Sequence, residues 1–147
     1  KQIGFIFQGY NLIPELTALE NVELPLIYQG IGPGKRQELA QRALERVGLG
    51  SRGGHRPSEM SGGQQQRVAI ARAISTSPPI IMADEPTGAL DSKTGQEVLA
   101  FLQQLNREGS TVILITHDNG IAATARRIVR VSDGKIVEDH AQEVDWL

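Results

Sequence analysis

Two acidic residues follow directly on a short apolar segment near the middle of the chain. Asp84 and Glu85 come after Ile80-Ile81-Met82-Ala83, which has the composition of a strand buried on both faces. In open α/β folds, ligands bind at the carboxyl edge of a parallel sheet. The pair therefore predicts a ligand-binding sheet edge, with an ordinary solvated acidic turn as the alternative.

A second candidate site lies at the start of a predicted helix before that strand. In Ser61-Gly62-Gly63-Gln64, Ser61 can cap the helix while Gln64 reaches back to complete a capping box. The two glycines leave the backbone amides of the first turn bare, and Ser77-Pro78-Pro79 ends the helix. An ordinary capped helix is the alternative. The pattern turns four polar side chains toward water: Gln65, Gln66, Arg67 and Arg72.

These two segments carry a family resemblance. The sequence SGGQQQRVAIARA resembles the signature motif of ABC-transporter ATPases, and IIMADEPTGALD resembles their Walker B strand followed by the D-loop. The signature motif is specific to that family, whereas a Walker B pattern alone is weak. Met60 stands where the family usually has a leucine, which conserves bulk. The order and close spacing of the two motifs support the resemblance.

The resemblance implies a role for each of these residues. Asp84 holds Mg²⁺, commonly through water, and Glu85 polarises the water that attacks the γ-phosphate of ATP. Phosphate oxygens approach the bare amides at Gly62 and Gly63, where the helix dipole favours an anion. That ATP is bound on the opposite subunit. The nucleotide-binding residues implied by the two motifs are Ser61, Gly62, Gly63, Gln64 and Asp91.

Two further segments extend the resemblance. Gln8 follows the apolar segment Ile3 to Phe7 and resembles the start of the Q-loop, where its amide oxygen lies near Mg²⁺ and the attacking water; a surface glutamine after an edge strand is the alternative. A second doubly buried strand, Thr111 to Thr116, ends at His117 and resembles the H-loop. There the histidine contacts the γ-phosphate and links it to Glu85 and the opposite D-loop; a purely structural histidine is the alternative.

Periodicity and capping signals predict the remaining elements. Thr17 and Glu20 form a second possible capping box, and the helix that follows tolerates Pro25. His55 has no second ligand at metal-binding spacing and is interpreted as structural or solvated. The predicted elements are helices over Glu20 to Tyr28, Lys35 to Val47, Ser92 to Arg107 and Ile121 to Ala125, and a hairpin of Ile128 to Val131 and Ile136 to Glu138.

Together these features predict an α/β fold. By resemblance it is a partial P-loop NTPase of the ABC ATPase type, with a mostly parallel sheet, flanking helices and a helical signature subdomain. The helical subdomain covers about residues 12–77, and residues 1–11 and 78–140 form what remains of the catalytic core. The sequence does not fix the role of residues 141–147.

One motif that such an ATPase needs is missing from this sequence. No segment matches the phosphate-binding pattern G-x-x-x-x-G-K-S/T; Gly30 to Arg36 comes nearest but has the wrong spacing and an internal proline. The resemblance begins at the Q-loop, so we expect a truncated chain that alone neither binds nor hydrolyses ATP. The family's central strand would lie between the strand ending at His117 and the strand near Ile128. Its absence predicts an open edge there, and dimerisation, strand exchange or rearrangement.

Composition narrows the class of protein. The chain has 147 residues, a net charge of −2 and no cysteine, which gives no general reason to expect nucleic-acid binding and excludes disulfides. No apolar segment approaches the roughly 20 residues that span a bilayer, and the start does not resemble a signal peptide. The resemblance implies two partners, a second ATPase subunit and an integral-membrane permease. It also implies a cytoplasmic protein, peripheral on the inner face of the cell membrane.

Within the family, GFIFQGYNLIPELTALENVELPL and DEPTGALDSKTGQEV most resemble the subgroup of macrolide exporters and lipoprotein-release ATPases. The transported substrate is not readable, because the permease sets it. Two alternatives remain open at this point. One is a non-transport ABC ATPase that acts in translation or DNA repair, and the other is a degenerate half that completes a partner's ATP site.

Overall fold

The computed structural model describes residues 3–144 and 146–147 and has the predicted α/β fold. The strands are β1 (Ile3–Phe7), β2 (Ile80–Asp84), β3 (Thr111–Ile115), β4 (Arg127–Ser132) and β5 (Lys135–Ala141). The helices are α1 (Ala18–Tyr28), α2 (Pro33–Arg46), α3 (Gly62–Ile74), α4 (Ser92–Arg107) and α5 (Asn119–Ala122), with a 3₁₀ turn at Pro57–Glu59. Helix α4 has the predicted bounds, whereas α5 is shorter than predicted and begins earlier.

Three parallel strands in the order β1-β2-β3 form the main sheet. In its register Phe7 is level with Asp84, and Asp84 is level with Ile115. All three strands therefore end at one edge. Strands β4 and β5 form a separate antiparallel hairpin whose turn residues, Asp133 and Gly134, have φ angles of 50° and 74°. An Asp-Gly pair with two positive φ angles is the preferred turn of a two-residue hairpin.

The two faces of the main sheet differ in their burial. Ile6, Ile81 and Ala83 point into the core and are fully buried, because α3 packs against β1 and α4 against β3. On the other face Phe5 and Ile115 are each 45% exposed. The prediction that β2 and β3 are buried on both faces is therefore wrong for the part of the chain that the structure describes. We call the residues of this uncovered side the open face: Ile3, Phe5, Phe7, Ile113 and Ile115.

Strand β3 is also an edge of the sheet. Among the described residues it pairs with β2 on one side, and β4 pairs with β5 instead of β3. The predicted gap between these two strands is present. An apolar edge next to an uncovered apolar face can accept another strand or segment.

Helices α1 to α3 pack against one another, and α3 also packs against β1. The predicted capping box at Thr17 and Glu20 is present, and Pro25 lies inside α1. Helix α2 begins at Pro33, two residues earlier than predicted, because proline is well tolerated at the first helical position. It ends before Gly48, whose φ of 78° fits a glycine stop.

Helix α3 has the predicted capping box but not the predicted polar face. The backbone N–H of Gln64 donates to Ser61 Oγ at 3.2 Å, and the N–H of Ser61 donates to Gln64 Oε1 at 3.0 Å. The prediction that Gln66 and Arg72 turn toward water is wrong. Gln66 is fully buried, since it shares a face with Ala69 and Ala73, and Arg72 lies against the loop after β1.

Candidate functional site

The carboxyl edge of the main sheet brings together residues that are far apart in the sequence. Because Phe7, Asp84 and Ile115 are level, the residues that follow them emerge side by side. These are Gln8, Glu85 and the pair Thr116-His117. The site predicted at this edge therefore has three contributing strands.

Glu85 is held in place by its backbone and by its carboxylate. Its φ is 45°, a left-handed conformation that is uncommon outside glycine, and its N–H donates to the carbonyl of Ile115 at 2.9 Å. The backbone N–H of His117 donates to Glu85 Oε1 at 3.0 Å, and Thr116 Oγ1 donates to Oε2 at 3.3 Å. The Glu85 side chain is 19% exposed. It is thus fixed by three successive residues at the end of β3 while it still reaches solvent.

The ring of His117 completes this cluster. Its Nδ1 lies 2.5 Å from Glu85 Oε1. Because an ionised carboxylate only accepts hydrogen bonds, we take Nδ1–H as the donor in this contact. The side chain is otherwise 93% exposed, so the far nitrogen, Nε2, is open to a ligand. His117 thus bridges Glu85 and the solvent in front of the sheet edge.

Asp84 presents a free carboxylate at the same edge. It is exposed, and the described residues provide no hydrogen bond or ion pair to its side chain. Mg²⁺ prefers oxygen ligands and is commonly held by one or two carboxylates together with waters and substrate phosphates. Over residues 3–144 and 146–147, no group of three or more His, Cys, Asp or Glu side chains could hold a metal ion alone. The exposed carboxylate of Asp84 offers the oxygen ligands that such an ion takes from a protein.

Gln8 packs against the loop that follows Glu85. A Cβ atom built on Gly88 would lie 2.5 Å from Gln8 Nε2, so the end of the Gln8 side chain lies directly against this loop. Gln66 lies behind both segments. Its Nε2 donates to the carbonyl of Pro86 in a short hydrogen bond and to that of Phe7 at 3.5 Å, while its buried Oε1 has no partner among the described residues.

The signature turn lies in a different cluster. The N–H groups of Gly62 and Gly63 have no hydrogen-bond partner among the described residues, as a phosphate-binding turn requires. The space beside the two glycines is filled by protein. A Cβ on Gly62 would lie 3.0 Å from Tyr10 Oη, and one on Gly63 would collide with Thr94 Cγ2 in α4. Both glycines therefore also serve close packing, a reason that the sequence did not reveal.

Asp91 lies at the start of α4. It is the N-cap residue by backbone position, but its side chain makes no capping hydrogen bond and is exposed. Its neighbour Leu90 lies beside Gly62. Within the described part of the chain, no hydrogen bond joins the signature turn or Asp91 to Glu85 or His117. The predicted site residues thus form two clusters, one at the sheet edge and one at the α3 and α4 N-termini.

Sequence reasoning missed three side chains that support these clusters. Thr116 was assigned only to a strand, and Gln66 and Arg72 were assigned to solvent. The signal for Gln66 was its position on the helix face that also carries Ala69 and Ile70. The backbone carbonyl of His55 accepts the N–H of Ala18 at 2.7 Å, and the interpretation of its side chain as structural or solvated stays a prediction. No helix formed by the described residues is long and apolar enough to cross a bilayer.

Comparison with known proteins decides the family. The model of the ABC transporter family matches residues 1–88. This chain belongs to the ABC transporter family. Solved cassettes share the ABC fold. One is the dimeric structure of a post-hydrolysis state of the ATP-binding cassette MJ0796 bound to ADP and Pi, which is 47% identical to this chain with a TM-score of 0.82. The match covers 96% of this chain and 63% of that one.

Named relatives of this ABC chain are export proteins. The macrolide export ATP-binding/permease protein MacB of Marinobacter nauticus is 56% identical over 96% of this chain. The pyoverdine export ATP-binding/permease protein PvdT of Pseudomonas fluorescens is 58% identical over 95% of it. The chain spans about a fifth of the length of these relatives, 22% and 21% respectively. Family membership implies nucleotide binding.

Proposed function

We propose that this chain carries the hydrolytic carboxylate and the signature turn of an ATP-driven export protein. The observation that carries the proposal is the cluster at the sheet edge, in which Glu85 is fixed by Thr116 and His117 and still reaches solvent. A positioned general base contributes about 10²- to 10⁴-fold to a reaction rate. The ordered environment of Glu85 is what such a base needs.

In this proposal each residue of the sheet edge has one task. Glu85 orients the attacking water and accepts its proton at a carboxylate oxygen. His117 holds that carboxylate through Nδ1–H and, in its doubly protonated form, donates from Nε2–H to the γ-phosphate. Asp84 and the amide oxygen of Gln8 would hold Mg²⁺, which would supply positive charge to the phosphate oxygens. Most of the rate enhancement in phosphoryl transfer comes from such positioning and charge.

The signature turn acts on a different nucleotide. The amides of Gly62 and Gly63 have no hydrogen-bond partner among the described residues, and the turn is separate from the Glu85 cluster. We assign Ser61, Gly62, Gly63, Gln64 and Asp91 to the ATP bound by a second ATPase subunit. The solved cassettes similar to this chain are dimeric, which supports this arrangement.

The remaining assignments concern the assembly. We divide the chain into a helical subdomain at about residues 12–77 and core segments at 1–11 and 78–140. The named relatives combine an ATP-binding part with a permease, which supports a permease partner and a location on the cytoplasmic face of the membrane. Their names also favour export over a role in translation or DNA repair.

The 147-residue chain alone is proposed to be inactive. It contains no G-x-x-x-x-G-K-S/T segment, and each charge-assisted hydrogen bond of such a loop is worth about 1.5 to 3 kcal/mol. Micromolar affinity amounts to only about 8 kcal/mol, so the loss of several such bonds removes useful ATP binding.

Nucleotide binding and phosphate release, compared between this chain and the complete gene product that contains it, test the proposal. We expect no ATP binding by the 147-residue chain and Mg²⁺-dependent hydrolysis by the complete product. Hydrolysis by the isolated chain would contradict the proposed inactivity, and its absence from the complete, folded product would contradict the proposed function.

A further inference from the structure

The half-buried cation of Arg72 connects helix α3 to the loop that carries Gln8. The guanidinium of Arg72 donates from Nη1 to the carbonyl of Asn11 at 2.7 Å and from Nη2 to the carbonyl of Tyr10 at 2.9 Å. The described residues include no carboxylate within ion-pair distance of Arg72. Burial lowers the pKa of this guanidinium. The two carbonyls therefore provide the main compensation for a charge that has been removed from water.

The loop that Arg72 holds has an unfavourable backbone. We define the Gln8 loop as residues 8–11. Tyr10 and Asn11 have φ angles of 64° and 53°, two successive left-handed residues without a glycine. Such conformations persist only where the surroundings impose them. The other described contacts of this segment include a tight turn from the N–H of Asn11 to the carbonyl of Gly9 at 2.7 Å.

The direction of this loop fixes Gln8. The loop begins level with Asp84 at the sheet edge, where the Gln8 side chain packs against Gly88. If the Tyr10 and Asn11 carbonyls lost their donor, the strained turn could relax to an ordinary conformation and carry Gln8 away from the edge. A displacement of about 1 Å can cost about 10²-fold in rate when a group must be oriented.

We propose that Arg72 is the positioning residue of the Gln8 loop, which it holds in the strained conformation that directs Gln8 to the sheet edge. This inference rests on the role proposed above for Gln8. It also ties the loop to the helix whose first turn carries the signature glycines. A change in the tilt of α3 is then transmitted to Gln8 through one side chain.

A double-mutant cycle in the complete gene product tests the inference. Gln8→Ala, Arg72→Gln and the combined variant are compared for turnover and for the Mg²⁺ concentration that gives half-maximal turnover. We expect each single variant to raise that concentration about tenfold or more, and the combined variant to be no worse than either, because both remove the same positioned group. Additive effects would show that Arg72 does not act through Gln8 and would overturn the inference.

Hydrogen exchange supplies a readout that does not depend on activity. In Arg72→Gln we expect faster amide exchange at residues 9–12 and unchanged exchange in β2. Arg72→Lys keeps the charge but loses the planar fork, so its exchange and Mg²⁺ requirement should fall between those of the wild type and Arg72→Gln. If Arg72→Gln does not fold, the same two measurements on Arg72→Lys decide whether Arg72 holds the Gln8 loop. Unchanged exchange at residues 9–12 in a folded variant would overturn the inference.

Arg67 provides a matched control on the same helix. It donates to the carbonyl of Val47 at 3.1 Å and to Glu97 at 2.9 Å, away from the Gln8 loop. Arg67→Gln should lower the melting temperature, leave the Mg²⁺ requirement unchanged and combine additively with Gln8→Ala. The proposed function is tested separately by Glu85→Gln, which would retain wild-type turnover if that function were wrong. The exchange measurement would still decide whether Arg72 holds the Gln8 loop.

Discussion

Glu85 and His117 lie on neighbouring strand ends, and a single carboxylate oxygen, Glu85 Oε1, accepts both the backbone N–H and the ring Nδ1–H of His117. The two residues are 32 positions apart in the chain. Their contact depends on the parallel register of β2 and β3, since Asp84 is level with Ile115. A shift of that register by one residue would separate them.

The first prediction concerns His117. Because its side chain is 93% exposed, His117→Ala should leave the melting temperature nearly unchanged. Turnover by the complete gene product should fall about 10²-fold, the usual effect of removing one donor to developing charge. Steady-state phosphate release measures this. His140→Ala, which changes an exposed histidine on the β4-β5 hairpin, is the control and should keep wild-type turnover. A loss of stability instead of turnover in His117→Ala would assign that residue a structural role.

The second prediction separates packing from chemistry at Gly63. A Cβ there collides with Thr94 Cγ2, so Gly63→Ala should destabilise the fold by about 1 to 3 kcal/mol. Thr94→Ser removes that methyl group, and the combined variant should regain the stability but not the turnover, because the Cβ still obstructs the amides of the turn. Chemical denaturation and phosphate release measure the two effects.

Gly54→Ala is the control for this pair, since nothing lies within 4 Å of its built Cβ. Gly54→Ala should change neither the free energy of unfolding nor the turnover. Recovery of full turnover in the Gly63→Ala/Thr94→Ser variant would show that Gly63 serves packing alone.

The third prediction concerns pH and the cap of α1. The backbone N–H and the hydroxyl of Thr17 hold the pKa of Glu20 below its usual range. A lowered folded-state pKa stabilises the fold at neutral pH, and this contribution is lost as the pH falls through the folded-state pKa. Glu20→Gln keeps the shape of the capping box and removes only the charge, so it should lower stability at neutral pH and have little effect below the folded-state pKa of Glu20. The free energy of unfolding of both proteins at neutral and acid pH measures this. A cost of Glu20→Gln that does not depend on pH would contradict the coupling.

The fourth prediction concerns the open face and the edge at β3. We expect the isolated 147-residue chain to self-associate through these surfaces, because its apolar edge strand has no second neighbour among the described residues. Ile113→Lys places a charge there and should reduce association in sedimentation velocity. Tyr28→Lys, on the 87% exposed side chain at the end of α1, should not. A wild-type chain that is monomeric at all concentrations would refute this prediction.

Much of the fold was predictable because its signals are local. The capping boxes at Thr17 and Ser61 and the Asp-Gly turn of the hairpin depend on residues within a few positions of each other, and all three are present. The order of the motifs also predicted which residues meet at the carboxyl edge of the main sheet. The contact between Glu85 and His117 follows once β2 and β3 are taken as parallel neighbours.

The rest depends on packing that no local pattern records. Gln66 lies on the buried face of α3, but the carbonyls of Phe7 and Pro86 that accept its amide there come from distant segments. The composition of β3 resembles that of a strand buried on both faces. Whether each face is buried depends on other segments that pack against it, which its own sequence does not record. Arg72 likewise gains its partners from a loop 61 and 62 residues earlier in the chain.

The most direct test of the central claim is single-turnover ATP hydrolysis by the complete gene product with Glu85 and with Glu85→Gln. The substitution keeps the shape of the side chain and removes the base. The account predicts that both proteins bind Mg²⁺-ATP equally well and that hydrolysis in Glu85→Gln is slower by about 10²- to 10⁴-fold. Equal hydrolysis rates in the two proteins would contradict the assignment of Glu85 as the base.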